Sequence, residues 1–240
     1  MVLLWHMHQP YYVHPVTEQP VLPWVRLHAC SGYLDMARAL ERHPRVRVTV
    51  NFVPSLVAQI EDAVAGQRDA LEALADRPVA SLERAERRTI IERSFSVVAR
   101  AIDARPRFAE LSQKGLHGAW CDQDIRDLEC LFLLGWLGFA AREDDPRIGV
   151  MEQKGRDFSE EDKAVVVSAV RLAMTKVLPA WRALAERGQV ELCASPFHHP
   201  ILPLLIDSDA AKRSRPDDAL PPRFRHPDDA REQVVRAIAA

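Results

Sequence analysis

"RVRVTVNFVPSLVAQIEDAVAG" (residues 45–66) is the stretch on which the fold turns. Val46, Val48 and Val50 alternate with polar or smaller residues, the period of a β-strand, and Pro54 stops the run. From Ser55 the spacing becomes helical, and Gly66 closes the helix. A strand that feeds directly into a helix is half of a βαβ unit. Toward the N-terminus, "VLLWHMH" (2–8) is a short apolar run that ends in polar residues. That is the pattern of a central parallel strand buried on both faces, with its C-terminal end delivering side chains to a site. Between the two strands, "PVLPWVRLHACSG" (20–32) reads as a Pro-rich loop and "YLDMARALERH" (33–43) as a helix. The β-α-β-α order predicts parallel strands joined by right-handed crossovers.

The middle of the chain changes character. From about Asp69 to Arg187 there is no convincing strand pattern, and residues 69–187 read as a helical insertion within the α/β domain. "DQDIRDLECLFLLGWLGFAARE" (122–143) has apolar residues at helical spacing and acids at its start, where they suit the helix dipole. "FSEEDKAVVVSAVRLAMTKVLPAWRALAERG" (158–188) opens with Ser159 and Asp162 at capping-box spacing, and Pro179 should kink or divide it. Strand character returns in "QVELCAS" (189–195). "PFHHPILPLLID" (196–207) reads as an ordered loop, because its prolines forbid a regular helix. The last fifteen residues read as a helix. Three strands (2–6, 46–52 and 189–194) are few for a finished α/β barrel of 240 residues, so the chain is expected to stop within its single domain (1–240).

Composition excludes several classes. Lys and Arg number 32 against 34 Asp and Glu, which gives no electrostatic ground for a nucleic-acid or membrane partner. No apolar run reads as long enough to cross a bilayer. No P-loop, GxGxxG or nucleophile elbow occurs. The four cysteines are scattered without a CxxC, the usage of reduced thiols in a cytoplasmic protein, and no cofactor is expected.

Two constellations carry chemistry. His6 and His8 lie two apart on a strand and therefore point to the same side, with Gln9 following. The second group is Glu191, Ser195, His198 and His199, at and after the last strand. One of the two adjacent histidines should face the cleft while the other braces the loop, and spacing does not decide which. A metal reading, with the imidazoles around zinc, is weakened because no Asp or Glu lies within a residue or two of either cluster in a ligand-like arrangement. Trp24 and Trp120, both in expected loops, offer rings on which the apolar face of a sugar can stack, while Trp136 and Trp181 sit on apolar helix faces. His, Gln and Glu suit the hydroxyl edge of a sugar.

"HMHQPYY" (6–12), "NFVPSLVAQIED" (51–62) and "GQVELCASPFHHPILPLL" (188–205), in that order, resemble glycoside hydrolase family 57. Its members include α-amylase-like, 4-α-glucanotransferase, branching and pullulanase-type enzymes. The resemblance implies an α/β fold, the N-terminal part of an incomplete (β/α)7 barrel, and a retaining mechanism on α-glucan or a related oligosaccharide, with two carboxylates about 5 Å apart. It further implies that His6, His8 and Gln9 contact the sugar next to the scissile bond, while Glu191 and His199 orient the site. The family's nucleophilic Glu and acid/base Asp belong to later motifs, which do not follow His226. No catalytic residue is therefore assigned in this chain, which alone is expected to be inactive and to self-associate through an exposed sheet edge. A metal-dependent polysaccharide deacetylase or mannosidase-like enzyme, and a non-catalytic sugar-binding module, are the alternatives.

Overall fold

The three strands form one parallel sheet in the order β1-β2-β3, with β1 at Leu4–Met7, β2 at Val48–Phe52 and β3 at Val190–Ala194. The structure is a computed structural model and describes residues 2–240. The register is continuous across the sheet: Leu4, Thr49 and Glu191 share one row, and His6, Asn51 and Cys193 share another. Side chains alternate between the faces of a strand. One face therefore carries Leu4, His6, Thr49, Asn51, Glu191 and Cys193. The other carries Trp5, Met7, Val48, Val50, Phe52, Val190, Leu192 and Ala194; Met7, Val48, Val50, Phe52 and Val190 are buried, whereas Leu192 and Ala194 on the edge strand β3 are exposed. With one parallel sheet and many helices, the chain is of the α/β class.

The expectation that the first strand is central and covered on both faces is corrected. β2 is central, β1 lies at an edge, and Leu4 and His6 are exposed. Apolar content alone could not distinguish a two-sided strand from a one-sided strand with a polar row.

Residues group into two compact units. The first joins Met1–Tyr11, Arg45–Glu61 and Ala185–Ala240, and holds the sheet. Its ladder runs past the strands: Val53 N–H donates to the Met7 carbonyl at 3.0 Å, and Ser55 N–H donates to the Phe197 carbonyl at 3.0 Å. The helix Pro54–Val64 follows β2 at once, with Pro54 in its first turn, where a missing N–H costs nothing. Ser55, where the helical spacing begins in the sequence, is the second residue of that helix. Gln59 on the same helix donates to the Pro10 carbonyl at 3.1 Å and so ties down the segment after β1. After β3 the prolines do admit one short helix, Leu202–Ile206, because Pro203 falls in its first turn. The last helix of the unit is Pro227–Ala239.

The second unit, Tyr12–Pro44 with Asp62–Leu184, is helical, and its described residues contain no strand beyond the isolated bridge between Val13 and Pro20. The expected Pro-rich loop turns helical at Trp24: Pro23 precedes the helix Trp24–His28 rather than interrupting it. Its core packs the helix Asp122–Trp136, with Ile125, Leu128, Leu131 and Leu134 buried, against Glu160–Thr175, with Val166, Val170 and Ala173 buried. Ser159 and Asp162 form the expected capping box. The following helix starts at Val177, because the Pro179 ring excludes the carbonyl of Thr175, the last residue of the helix before it. The run Glu160–Glu186 is, contrary to the composition reading, apolar and long enough to cross a membrane, with half of its most apolar window buried inside the protein. Trp181 fills this core and donates its indole N–H to the Tyr33 carbonyl at 2.9 Å. All four cysteines are free thiols.

Candidate functional site

A parallel sheet is ordinarily covered on both faces, so the exposed His6, Glu191 and Cys193 on one face of this one stand out. Three histidines gather at the C-terminal end of that face. His6 leaves the last turn of the β1 pleat, and His8 follows two residues later. His199 comes from the loop after β3. The ring centroids lie 5.6 Å apart for His6 and His8, 4.8 Å for His6 and His199, and 5.0 Å for His8 and His199. The structure thus brings together residues separated by more than 190 positions in the chain, and Gln9 follows directly on the cluster.

The loop pays for this arrangement with backbone strain. His199 has φ 57°, in the left-handed region that few residues other than Gly adopt, His with Asn and Asp more often than the rest. Such a conformation costs of the order of 1 kcal/mol and persists where the surroundings impose it. Here the surroundings are specific. Phe197 N–H donates to the Gln233 carbonyl at 3.0 Å, and His198 N–H donates to Gln233 Oε1 at 2.8 Å. The guanidinium of Arg236 lies 3.7 Å from the centre of the Phe197 ring. The last helix therefore clamps the loop from one side. His199 is the histidine that faces the cluster. His198 braces the loop, packed edge-on to Tyr11 and Phe197.

Asn51, which carried no assignment from sequence, orients His6. His6 Nδ1 lies 2.7 Å from Asn51 Oδ1. An amide oxygen only accepts, so Nδ1 carries the proton and the Nε2 lone pair is left for other partners. The amide itself is oriented by Asn51 Nδ2, which donates to the Cys193 carbonyl at 3.4 Å. The row His6–Asn51–Cys193 is one register line of the sheet, so the fixed pairing of the strands sets the imidazole tautomer. A sequence signal did exist: Asn at the end of a Val-rich strand is a poor strand former.

The neighbouring row holds Glu191, whose Oε2 accepts from the Thr49 hydroxyl at 2.9 Å. Glu191 is the only carboxylate within the three strands, and it is exposed. The Ser195 hydroxyl is buried without a hydrogen-bond partner. The titration of two histidines is shifted. Burial, then the nearby His199 and His6, lower the pKa of His8, and burial, then Arg236, lower that of His198. Both shifts favour neutral rings near pH 7, able to donate at one nitrogen and accept at the other.

The two tryptophans belong to the helical unit. Trp24 opens a helix rather than lying in a loop, and its ring lies 6.2 Å from that of Trp136. Trp120 donates its indole N–H to the Gly115 carbonyl at 3.0 Å, with the Lys114 ammonium 5.6 Å from its ring centre. The sheet unit gathers neither of them.

Imidazoles that can donate and accept, an amide, and a carboxylate on one exposed sheet face make a surface suited to a polyhydroxylated molecule. The chain belongs to glycosyl hydrolase family 57, whose model matches residues 2–239. No curated protein and no solved structure matches the chain. Membership makes a carbohydrate the substrate and glycoside hydrolysis or glucanosyl transfer the kind of chemistry.

Proposed function

We propose that this polar face binds the glycosyl unit beside the scissile bond of an α-glucan, in a retaining enzyme built on an incomplete (β/α)7 barrel. The observation that carries the reading is the convergence of His6, His8 and His199 on a face that also presents Glu191, in a chain of a glycoside hydrolase family. His8 and His199 meet sugar hydroxyls, with His6 held by Asn51 in the tautomer that leaves Nε2 to accept. Gln9 adds an amide at the same end. Ser195 and His198 shape the loop that carries His199, and Trp24 and Trp120, which belong to the other unit, take no part in this face.

Retention requires two carboxylates about 5 Å apart. The strands of this face supply one, and that one is held by Thr49. The face therefore recognises sugar, and bond cleavage is not assigned to it. Calorimetric titration with maltooligosaccharides tests the reading. Binding should weaken at least tenfold in His8→Ala and His199→Ala, and the wild-type chain should show negligible release of reducing ends from amylose. Equal binding by wild type and both variants would sink it. Rapid turnover abolished by Glu191→Gln would instead make Glu191 a reacting group.

A further inference from the structure

We propose that His6, His8 and His199 form a three-imidazole site for a divalent transition-metal ion of the zinc class. One ring nitrogen from each lies within 4.8 Å of those of the other two. Some point then lies within about 2.8 Å of all three atoms, at most about 0.7 Å beyond a zinc–imidazole bond of about 2.1 Å. Small rotations of three side chains close that gap. Two of them, His6 and His199, are exposed, so their rotation displaces no packing.

Three further features fit a metal. The donor set is all imidazole, which suits zinc, copper or nickel and disfavours magnesium and calcium, whose preference is for oxygen. The Nδ1–H of His6 is already given to Asn51 Oδ1 at 2.7 Å, and a second hydrogen bond of this kind, from the nitrogen not used for binding, fixes the orientation of metal-bound histidines generally. The left-handed backbone of His199, φ 57°, sets the third ring 4.8 Å from that of His6 and 5.0 Å from that of His8. Three protein nitrogens leave a fourth position of a tetrahedral ion open toward solvent. That a sugar hydroxyl takes that position rests on the reading in the preceding section, whereas metal binding itself does not.

The test is calorimetric titration of the chelator-stripped chain with zinc chloride, with magnesium chloride as the contrast. One equivalent of zinc should bind and magnesium should not. His6→Ala, His8→Ala and His199→Ala should each weaken binding about 100-fold, and Asn51→Ala about tenfold. His43→Ala and His117→Ala, exposed histidines elsewhere in the sequence, should leave it unchanged. Cobalt(II) gives a readout on the wild-type chain that needs no variant to fold: intense visible absorption of a four-coordinate ion at one equivalent. No saturable zinc binding, or zinc binding indifferent to all three variants, overturns the proposal. Zinc-free chain that binds maltooligosaccharide but never zinc leaves the sugar reading standing alone. Zinc binding without sugar binding leaves only the metal site.

Discussion

At the scale of the residue, the sheet unit holds a contradiction that can be measured. Ser55 is 1% exposed, and its hydroxyl has no hydrogen-bond partner. A buried unpaired hydroxyl costs about 1–3 kcal/mol relative to a satisfied one, so its removal should not harm the fold. Ser55→Ala is expected to leave stability unchanged or raise it by about 1 kcal/mol, read as a higher midpoint in urea with the same slope. A loss of 1 kcal/mol or more would mean that the hydroxyl has a partner in solution. Asn51 is the opposite case, a polar residue with every visible role filled. It accepts from His6 and donates toward Cys193. Asn51→Ala frees the His6 ring, and maltooligosaccharide affinity should fall about tenfold, close to 1.4 kcal/mol. Unchanged affinity would show that His6 needs no orientation.

At the scale of the element, charge and capping fall in the same place. Asp69 caps the helix Ala70–Ala75 by accepting from the N–H groups of Leu71 and Glu72, and the same carboxylate takes two hydrogen bonds from the buried Arg26 guanidinium. Arg26 and Asp69 are 4% and 5% exposed. Asp69→Ala removes the cap and the closer of two carboxylates beside the buried Arg26, leaving only Glu72 Oε2 at 3.5 Å, with an expected cost of about 3 kcal/mol. Ser159→Ala removes only a cap, at a cost of about 1 kcal/mol. Chemical denaturation that ranked the two equally would refute the claim that the buried pair dominates. The same elements show what was legible in the sequence. The strands at 2–6, 46–52 and 189–194 were found within two residues of their ends, because alternation and apolar runs are local signals. The capping box at Ser159 and the break before Pro179 were legible for the same reason. The Pro23–Trp24 helix start was not, since a proline before a helix and a proline in a loop look alike until the chain's direction is known. Asn51 was missed because its partner, His6, is 45 residues away, and only the register of β1 on β2 brings them together. His199 could not be separated from His198, because that choice is made by the Gln233 and Arg236 contacts from the last helix.

At the scale of the whole molecule, two buried carboxylates set opposite limits on the pH range of stability. In the helical unit, burial pushes the Glu129 carboxyl up to about 7 despite the Lys163 ammonium 3.3 Å from its Oε2, and its Oε1 has no hydrogen-bond partner. Glu129 binds its proton more tightly folded than unfolded. Its stabilising contribution is complete below the unfolded value near 4.5 and is lost as pH rises through about 7. Asp124 behaves in reverse. Burial alone would raise its pKa, but hydrogen bonds from Lys114, from the Cys121 backbone and side chain and from Arg107 outweigh burial and hold it well below the usual carboxylate range. Its contribution is present above the unfolded value near 3.8 and is lost as pH falls further. Thermal denaturation should therefore show greatest stability in mildly acid solution as far as these two groups decide it. Glu129→Gln should be comparable to wild type near pH 4.5 and gain on it by up to about 3 kcal/mol as pH rises past 7, because the amide has no proton to lose. Asp124→Asn should instead fall behind wild type at neutral pH and close the gap in acid. Parallel curves for wild type and Glu129→Gln between pH 4.5 and 8 would show that Lys163 keeps Glu129 ionised throughout, and that attraction across 3.3 Å, not burial, governs this core.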